Sequence, residues 1–262
     1  MSSSEPVHLF DITSTLPGSS KSWSPNTLKV RAVLNFKGIP YTQSWISYPD
    51  IAPLLKSLDV TPNAAGYPYT LPTIIHKDSI STNPHGAMMD SLPISSLPPP
   101  LFPSGDASYA LFVALSKVAG GMGPGIRQLV IPNVLQHLDP RGQEYFSRTR
   151  AVTFGKPLSE VRPKDQAALD EIWKTVEAES QTLVSMLKGQ EGKKGPFLEG
   201  EKAGYADLMF CCILAFFERM DTAFFEKLMG LGDGELKALW DACRPWLEGQ
   251  GEEKEWPIPV QE

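Results

Sequence analysis

The chain has few of the residues that metal centres and disulfide scaffolds need. It holds three cysteines in 262 residues, Cys211, Cys212 and Cys243, two of them adjacent. An odd count without paired spacing argues against a disulfide framework and for a reducing compartment, with the thiols serving as small core hydrophobes. The four histidines, His8, His76, His85 and His137, lack metal-ligand spacing, and no metal is expected. Basic residues are also short. Against 30 Asp and Glu stand 24 Lys and Arg, giving a net charge of −6, and the densest basic run is Lys193-Lys194, so no nucleic-acid partner is expected. Long apolar runs are missing too. The longest, Leu208 to Phe217, has ten residues, about half of the roughly 20 a membrane-spanning helix requires. The start, Met-Ser-Ser-Ser-Glu-Pro, lacks the basic region and apolar core of a secretory signal. These absences predict a soluble, cytoplasmic protein with no membrane partner.

What is present centres on Lys21-Ser22-Trp23-Ser24-Pro25-Asn26-Thr27-Leu28-Lys29-Val30-Arg31. Ser24 is a favoured N-cap, whose hydroxyl can accept from first-turn amides, and Pro25 suits the first helical position. Leu28, Ala32, Val33 and Phe36 form one apolar face at helical spacing, and Gly38 and Pro40 end the helix. Such a helix start favours an anion, although a plain cap is the commoner meaning of an isolated Ser-Pro pair. Strand candidates flank it at Val7 to Ile12 and Tyr41 to Ile46. Asp50 to Leu58 reads as a short helix and Pro72 to His76 as a strand. Pro62 to Tyr69 and Lys77 to Gly86 read as surface loops.

Pro93 to Gly105 is the densest proline cluster and predicts a domain boundary near 98–104. Beyond it the chain reads as helical. Asp106 opens a helix to Val118, which Gly120 to Gly125 should break, and Pro132 should kink or split Ile126 to Leu138. Further helices are expected at Gln143 to Phe154, Pro163 to Lys188, and near 205–218, 222–230 and 234–247. The charged end with Trp256-Pro257-Ile258-Pro259 is expected to be an extended tail.

The run from Ser24 to Tyr41, with Leu71-Pro72-Thr73-Ile74 and Asp90-Ser91 downstream, resembles the glutathione-binding domain of the glutathione transferases. Gly195-Pro196-Phe197-Leu198-Glu199-Gly200 through Asp207 resembles that family's buried helix start. The resemblance implies an α+β fold: a thioredoxin-like βαβαββα domain at 1–97, a Pro-rich linker at 98–104 and an all-helical domain at 105–262. It makes Ala87-Met88-Met89 the last strand. It implies glutathione as co-substrate, a homodimer, and a detoxification role. The long Ser-Pro-Asn-Thr helix looks most like the serine-type fungal classes similar to etherase-like enzymes.

Carried residue by residue, the resemblance implies a site. Leu71-Pro72 matches the family's cis-proline dipeptide, which pairs with the cysteinyl part of glutathione; alone, an ordinary trans proline is the commoner reading. Ser91 would bind the γ-glutamyl carboxylate and Asp90 face its ammonium, where the family usually has Glu. Lys56 is the one candidate for the glycine carboxylate, and a solvated lysine on a short helix is its commoner meaning. Ser24 is the candidate activator of the thiol, with Ser22 as runner-up and Asn26 also within reach from the first turn. Members doing thiol exchange carry Cys where this chain has Ser24, so activated bound thiolate is expected instead of covalent catalysis. Asp207 is expected to be structural, with Gly204 in the place of a Ser/Thr cap. Tyr109, Phe112, Val113 and Ser116 at helical spacing, with Trp23 opposite, would form the acceptor site; the alternative is that Phe112 and Val113 are core and Trp23 caps its loop. The expected function is attack of the glutathione thiol on hydrophobic aromatic or ether electrophiles. The alternatives are a ligandin-type carrier of polyphenols or other aromatics, and a scaffold that has lost the chemistry.

Overall fold

The computed structural model describes residues 5–95 and 101–259; the Pro98-Pro99-Pro100 part of the expected linker lies outside the described residues. Two compact units divide the chain. The first takes Met1–Pro100, Leu138–Tyr145 and Trp246–Glu262, and the second takes the rest. Residues 138–145 and 246–262, which the sequence pattern groups with the helical half, thus belong to the first unit.

In the first unit, β1 (Val7–Ile12) is buried at all six positions, as a central strand covered on both faces must be. The α1 helix (Pro25–Phe36) crosses over to β2 (Tyr41–Ile46), which pairs parallel to β1 from Val7 opposite Tyr41 to Ile12 opposite Ile46. After α2 (Ile51–Ser57), β3 (Thr73–Ile75) returns antiparallel to β1, and β4 (Ala87–Met89) pairs antiparallel to β3. The short α3 (Ser91–Ser95) packs against α1. Val7, Leu9, Val30, Leu34, Tyr41, Ile74, Ile80 and Ile94 share one apolar cluster.

The second unit is helical. In it α4 (Asp106–Val130) packs against α6 (Gln166–Lys188) and α7 (Tyr205–Met220), with α5 (Pro140–Phe154), α8 (Thr222–Met229) and α9 (Glu235–Glu248) completing the helices named here. The start of α5 and the end of α9 belong to the first unit. Helix α4 runs unbroken through Gly120–Gly125 and Pro124, against the expected break. Packing overrides propensity here. A Cβ at Gly125 would stand 2.9 Å from Ile172 Cγ2, and one at Gly121 2.9 Å from Glu179 Oε2. Glycine thus lets α4 lie closer to α6 than alanine would, and that burial outweighs the roughly 1 kcal/mol per glycine of helix propensity. The regular helix stops at Val130, and Pro132 falls in a 3-10 segment, Ile131–His137. Helix α6 starts after Asp165, whose side chain accepts from the Ala168 amide at 2.8 Å, so the stretch from Pro163 is shorter at its start than expected.

The expected extended tail is corrected in part. Glu252–Glu253 forms β5, parallel to β2, and the sheet order is β4-β3-β1-β2-β5. The Lys254 amide donates to Gln43 O at 2.8 Å and Ser44 Oγ donates to Lys254 O at 2.5 Å. The β2 edge, otherwise open to foreign strands, is therefore covered. Trp256 then lies 4.6 Å from the His8 ring and 5.0 Å from Phe10.

His8 sits beneath this tail, with Nδ1 2.7 Å from Thr42 Oγ1 and Nε2 3.0 Å from Ser44 Oγ. Burial, helped by the Lys254 charge, lowers its pKa from 6.5 to about 4. The native state therefore resists a proton that the unfolded chain accepts. Stability from neutral His8 is complete above pH 6.5 and is lost as pH falls toward about 4. His8→Gln should flatten this acid limb in urea unfolding followed across that interval. An unchanged slope would assign the acid sensitivity to other groups.

No helix among the described residues is long and apolar enough to cross a membrane.

Candidate functional site

The site is built from the start of α1. Ser24 has extended backbone angles (φ −70°, ψ 125°) and its carbonyl accepts from Leu28 N at 2.9 Å, which makes it the N-cap. Its hydroxyl caps nothing, against the expectation that it accepts from a first-turn amide. Thr27 Oγ1 donates instead to the Ser24 carbonyl at 3.2 Å. Ser24 is 6% exposed, and its Oγ has no hydrogen-bond partner among the described residues.

Ser22 is committed elsewhere. It is fully buried and its hydroxyl donates to Asp11 Oδ2 at 2.5 Å. Asp11, the fifth residue of β1, also accepts from the Ile12 amide through Oδ1 at 2.7 Å. Burial pushes the Asp11 pKa up, opposed by the Arg31 charge, the Ser22 and Thr27 hydroxyls and the Ile12 N–H. Arg31 is itself buried. Its Nη2 donates to Gln43 Oε1 at 2.6 Å and its Nη1 to Ser19 O at 3.3 Å. The Thr13–Trp23 loop therefore rests on a buried acid and a buried base.

Asn26 is exposed in the first turn, and its Oδ1 accepts from Lys29 Nζ at 3.1 Å. Trp23 is buried, with its ring 6.4 Å from that of Tyr48, which stacks on Tyr145 at 5.7 Å.

The register of β3 with β4 sets the second part. Thr73 opposes Met89, so Pro72 and Asp90 are neighbours, and the Asp90 amide donates to Pro72 O at 3.1 Å. The Leu71-Pro72 bond is cis. Neither the N–H nor the C=O of Leu71 is hydrogen-bonded among the described residues, although its side chain is buried. Asp90 has φ 76°, a left-handed conformation that Asp tolerates better than most residues. Its carboxylate is exposed, Ser91 is half-buried, and neither side chain is engaged among the described residues. Lys56 lies in the last turn of α2, exposed, with Nζ 5.8 Å from the centre of the Tyr69 ring.

These residues fit a thiol tripeptide with a carboxylate at each end. The Leu71 amide and carbonyl can pair with a peptide backbone. Ser91 can donate to a carboxylate, Asp90 can accept from an ammonium, and Ser24 can donate to sulfur.

The second unit places Tyr109, Phe112, Val113 and Ser116 on α4. Tyr109 and Val113 are 49% and 50% exposed, so Val113 is not a core residue. Phe112 is half-buried, 5.1 Å from Tyr205, and Ser116 Oγ donates back to Phe112 O at 2.8 Å. Phe102 lies 5.9 Å from Tyr109 and 6.0 Å from Tyr205, so these rings form one aromatic group. Asp207 is buried at the start of α7. It accepts from Leu198 N and Gly204 N, each at 2.8 Å. No group of three or more metal-ligating side chains occurs among the described residues.

Asp11 was not singled out by the sequence pattern. The available signal was an acidic residue at the fifth position of an otherwise apolar-rich strand, directly before the loop that ends at Ser24.

A thioredoxin-like sheet with a cis-proline edge, followed by a helical unit, defines the architecture of the glutathione transferases. The comparisons agree. A family model described as "Glutathione S-transferase, C-terminal domain" matches residues 110–246. The glutathione S-transferase-like protein ustS of Aspergillus flavus is 54% identical, over 97% of this chain and 95% of its own. A glutathione S-transferase of Ceriporiopsis subvermispora, solved in complex with glutathione, superposes with a TM-score of 0.78 at 26% identity, covering 92% of this chain and 98% of that one. Glutathione transferase GSTFuA3 of Phanerochaete chrysosporium gives 0.79 at 27% identity, covering 93% and 98%. The chain belongs to the glutathione transferase superfamily and is glutathione S-transferase-like in function.

Proposed function

We propose that this chain is a serine-type glutathione transferase, in which Ser24 stabilises the thiolate of bound glutathione for attack on hydrophobic aromatic or ether electrophiles. The observation that carries this reading is the Ser24 hydroxyl at the start of a 12-residue helix, without a protein partner among the described residues. A serine that caps its own helix has its acceptor lone pairs engaged by amides; this one is not held that way. Cys211, Cys212 and Cys243 are buried thiols outside any disulfide, and the α1 start carries Ser24 in place of a cysteine, which disfavours a mixed disulfide there and agrees with a reducing, cytoplasmic setting. Glutathione would lie along Leu71-Pro72, with its γ-glutamyl end at Asp90 and Ser91. Asn26 is a further contact to the sulfur, and Lys56 a weaker one to the glycine carboxylate. Bound glutathione supplies the nucleophilic sulfur; the chain's own part is to orient it and to hold the proton off it.

In this reading residues 1–97 bind glutathione, 98–104 link, and 105–262 carry the acceptor site with Tyr109, Phe112, Val113 and Ser116. Trp23 contributes by walling its loop. The homodimer and the detoxification role rest on the family resemblance alone. The ligandin-type carrier keeps one specific support: half of the Tyr109 surface is exposed beside Phe102 and Phe112, an open aromatic face suited to flat phenolic compounds.

Product formation from aromatic halide and β-aryl ether substrates, with and without glutathione, tests the proposal. Glutathione-dependent thioether formation is the expected result. Polyphenol binding that Tyr109→Ala weakens, with no thioether formed, would establish the carrier instead.

A further inference from the structure

Asp11 Oδ2 takes the Ser22 hydroxyl, two residues before Ser24. The Thr27 hydroxyl, three residues after it, donates to the Ser24 carbonyl at 3.2 Å. Asp11 Oδ1 is fixed by the Ile12 amide at 2.7 Å, so the carboxylate is itself anchored on the central strand. Asp11, Ser22 and Thr27 are all fully buried. The loop between is tied at two further points: Ser14 Oγ donates to Lys21 O at 2.9 Å, and Arg31 Nη1 to Ser19 O at 3.3 Å.

We propose that Asp11 is a positioning residue for Ser24: its buried carboxylate, anchored on the central strand, holds the Ser22 hydroxyl two residues before the serine and so fixes where the Ser24 hydroxyl points. Without that grip Ser24 has no side-chain bond of its own to hold its place. A carboxyl group is suited to the task because its two oxygens accept different donors at once, here the Ser22 hydroxyl and the Ile12 amide. A buried acid is costly to retain for packing alone. The groups that face it are the Arg31 guanidinium from α1 and, more remotely, Tyr41 of β2. Arg31 partly neutralises it and holds the Ser19 end of the same loop. Asp11 touches no reacting atom in this scheme and acts only through Ser22 and Ser24.

The inference rests on the reading of Ser24 as the thiol activator, and its test separates the two. The variants are Asp11→Asn, Ser22→Ala, their double, and Ser24→Ala. Each is saturated with glutathione, and the ultraviolet absorbance of the bound thiolate is followed against pH, alongside glutathione affinity and kcat. Asp11→Asn and Ser22→Ala should each raise the thiol pKa and lower kcat at neutral pH, by at most the roughly 3- to 25-fold expected when Ser24 itself is removed. Glutathione affinity should change much less. Because both break one link, the double variant should be no worse than the stronger single. If Asp11→Asn does not fold, Ser22→Ala decides alone, since it leaves Asp11 and Arg31 both in place. A thiol pKa that rises in Ser24→Ala but stays at the wild-type value in Asp11→Asn and Ser22→Ala, with only thermal stability lowered, overturns the positioning role and leaves the serine reading intact. An unmoved pKa in Ser24→Ala overturns both.

Discussion

Asp207→Ala should destabilise the helical unit by roughly 2–5 kcal/mol, because it strands two buried amides at once. Asp207 Oδ1 accepts from Leu198 N and Oδ2 from Gly204 N, each at 2.8 Å, and the side chain is almost wholly buried. The first bond ties the 195–204 loop to α7, and the second satisfies the amide of the helix cap. Gly204 has no side chain to return the bond, so only the Asp207 half of a capping box is present. A Cβ at Gly204 would stand 3.3 Å from Pro103 Cδ and 3.5 Å from Leu101 O, a close but not prohibitive fit. The single acid therefore carries the whole cap. Since a domain is stable by about 5–15 kcal/mol in total, the loss should appear as a lowered urea midpoint and, at physiological temperature, a large unfolded fraction. Asp207→Asn should recover only part, since its amide nitrogen cannot accept the second N–H. A urea midpoint unchanged in Asp207→Ala would mean that water reaches both amides in its place.

Local chemistry made much of the fold legible in the sequence. The Ser24-Pro25 start, the apolar face through Phe36 and the Gly38 stop are all contained within one helix, and β1 and β2 are each long enough to show their pattern. Features that depend on a distant partner were not legible. The Gly120–Gly125 stretch reads as a break until Ile172 and Glu179 of α6 are placed against it. Glu252–Glu253 is a strand only because the edge of β2 is there to pair with it. Within the candidate site, residue types were readable but contacts were not. Three-residue strands cannot reveal their own register, so the placement of Asp90 beside Pro72 required β3 and β4 to be paired. The family resemblance supplied that order from outside the residues themselves. Ser22 and Ser24 could not be told apart by position, because the difference between them lies in Asp11, eleven residues before one and thirteen before the other.

Ser24→Ala should raise the pKa of bound glutathione by about 1–2 units and lower kcat/KM at neutral pH roughly 3- to 25-fold. The size follows from what the site must supply. A thiol with a pKa near 8.5 is only about 3% thiolate at pH 7, and bringing it down two units requires about 2.7 kcal/mol. A hydrogen bond to a charged sulfur supplies roughly 1.5–3 kcal/mol, and the end of α1 adds roughly 0.3–1 kcal/mol. Alanine removes the first contribution and leaves the second, because the first-turn amides remain and no capping bond is lost with the hydroxyl. Helix stability should accordingly change little, which is unusual for an N-cap serine and separates a loss of chemistry from a loss of fold. The sign of the pH effect is fixed as well. Below the wild-type thiol pKa both proteins hold mostly thiol, and their activities differ by a constant ratio. Above the raised pKa both hold thiolate, and the ratio shrinks toward one. Thiolate absorbance against pH and the pH–rate profile should therefore shift together. A rate lowered equally at every pH would assign Ser24 a steric role beside the sulfur, with the thiolate stabilised by the helix end and by neighbours such as Asn26.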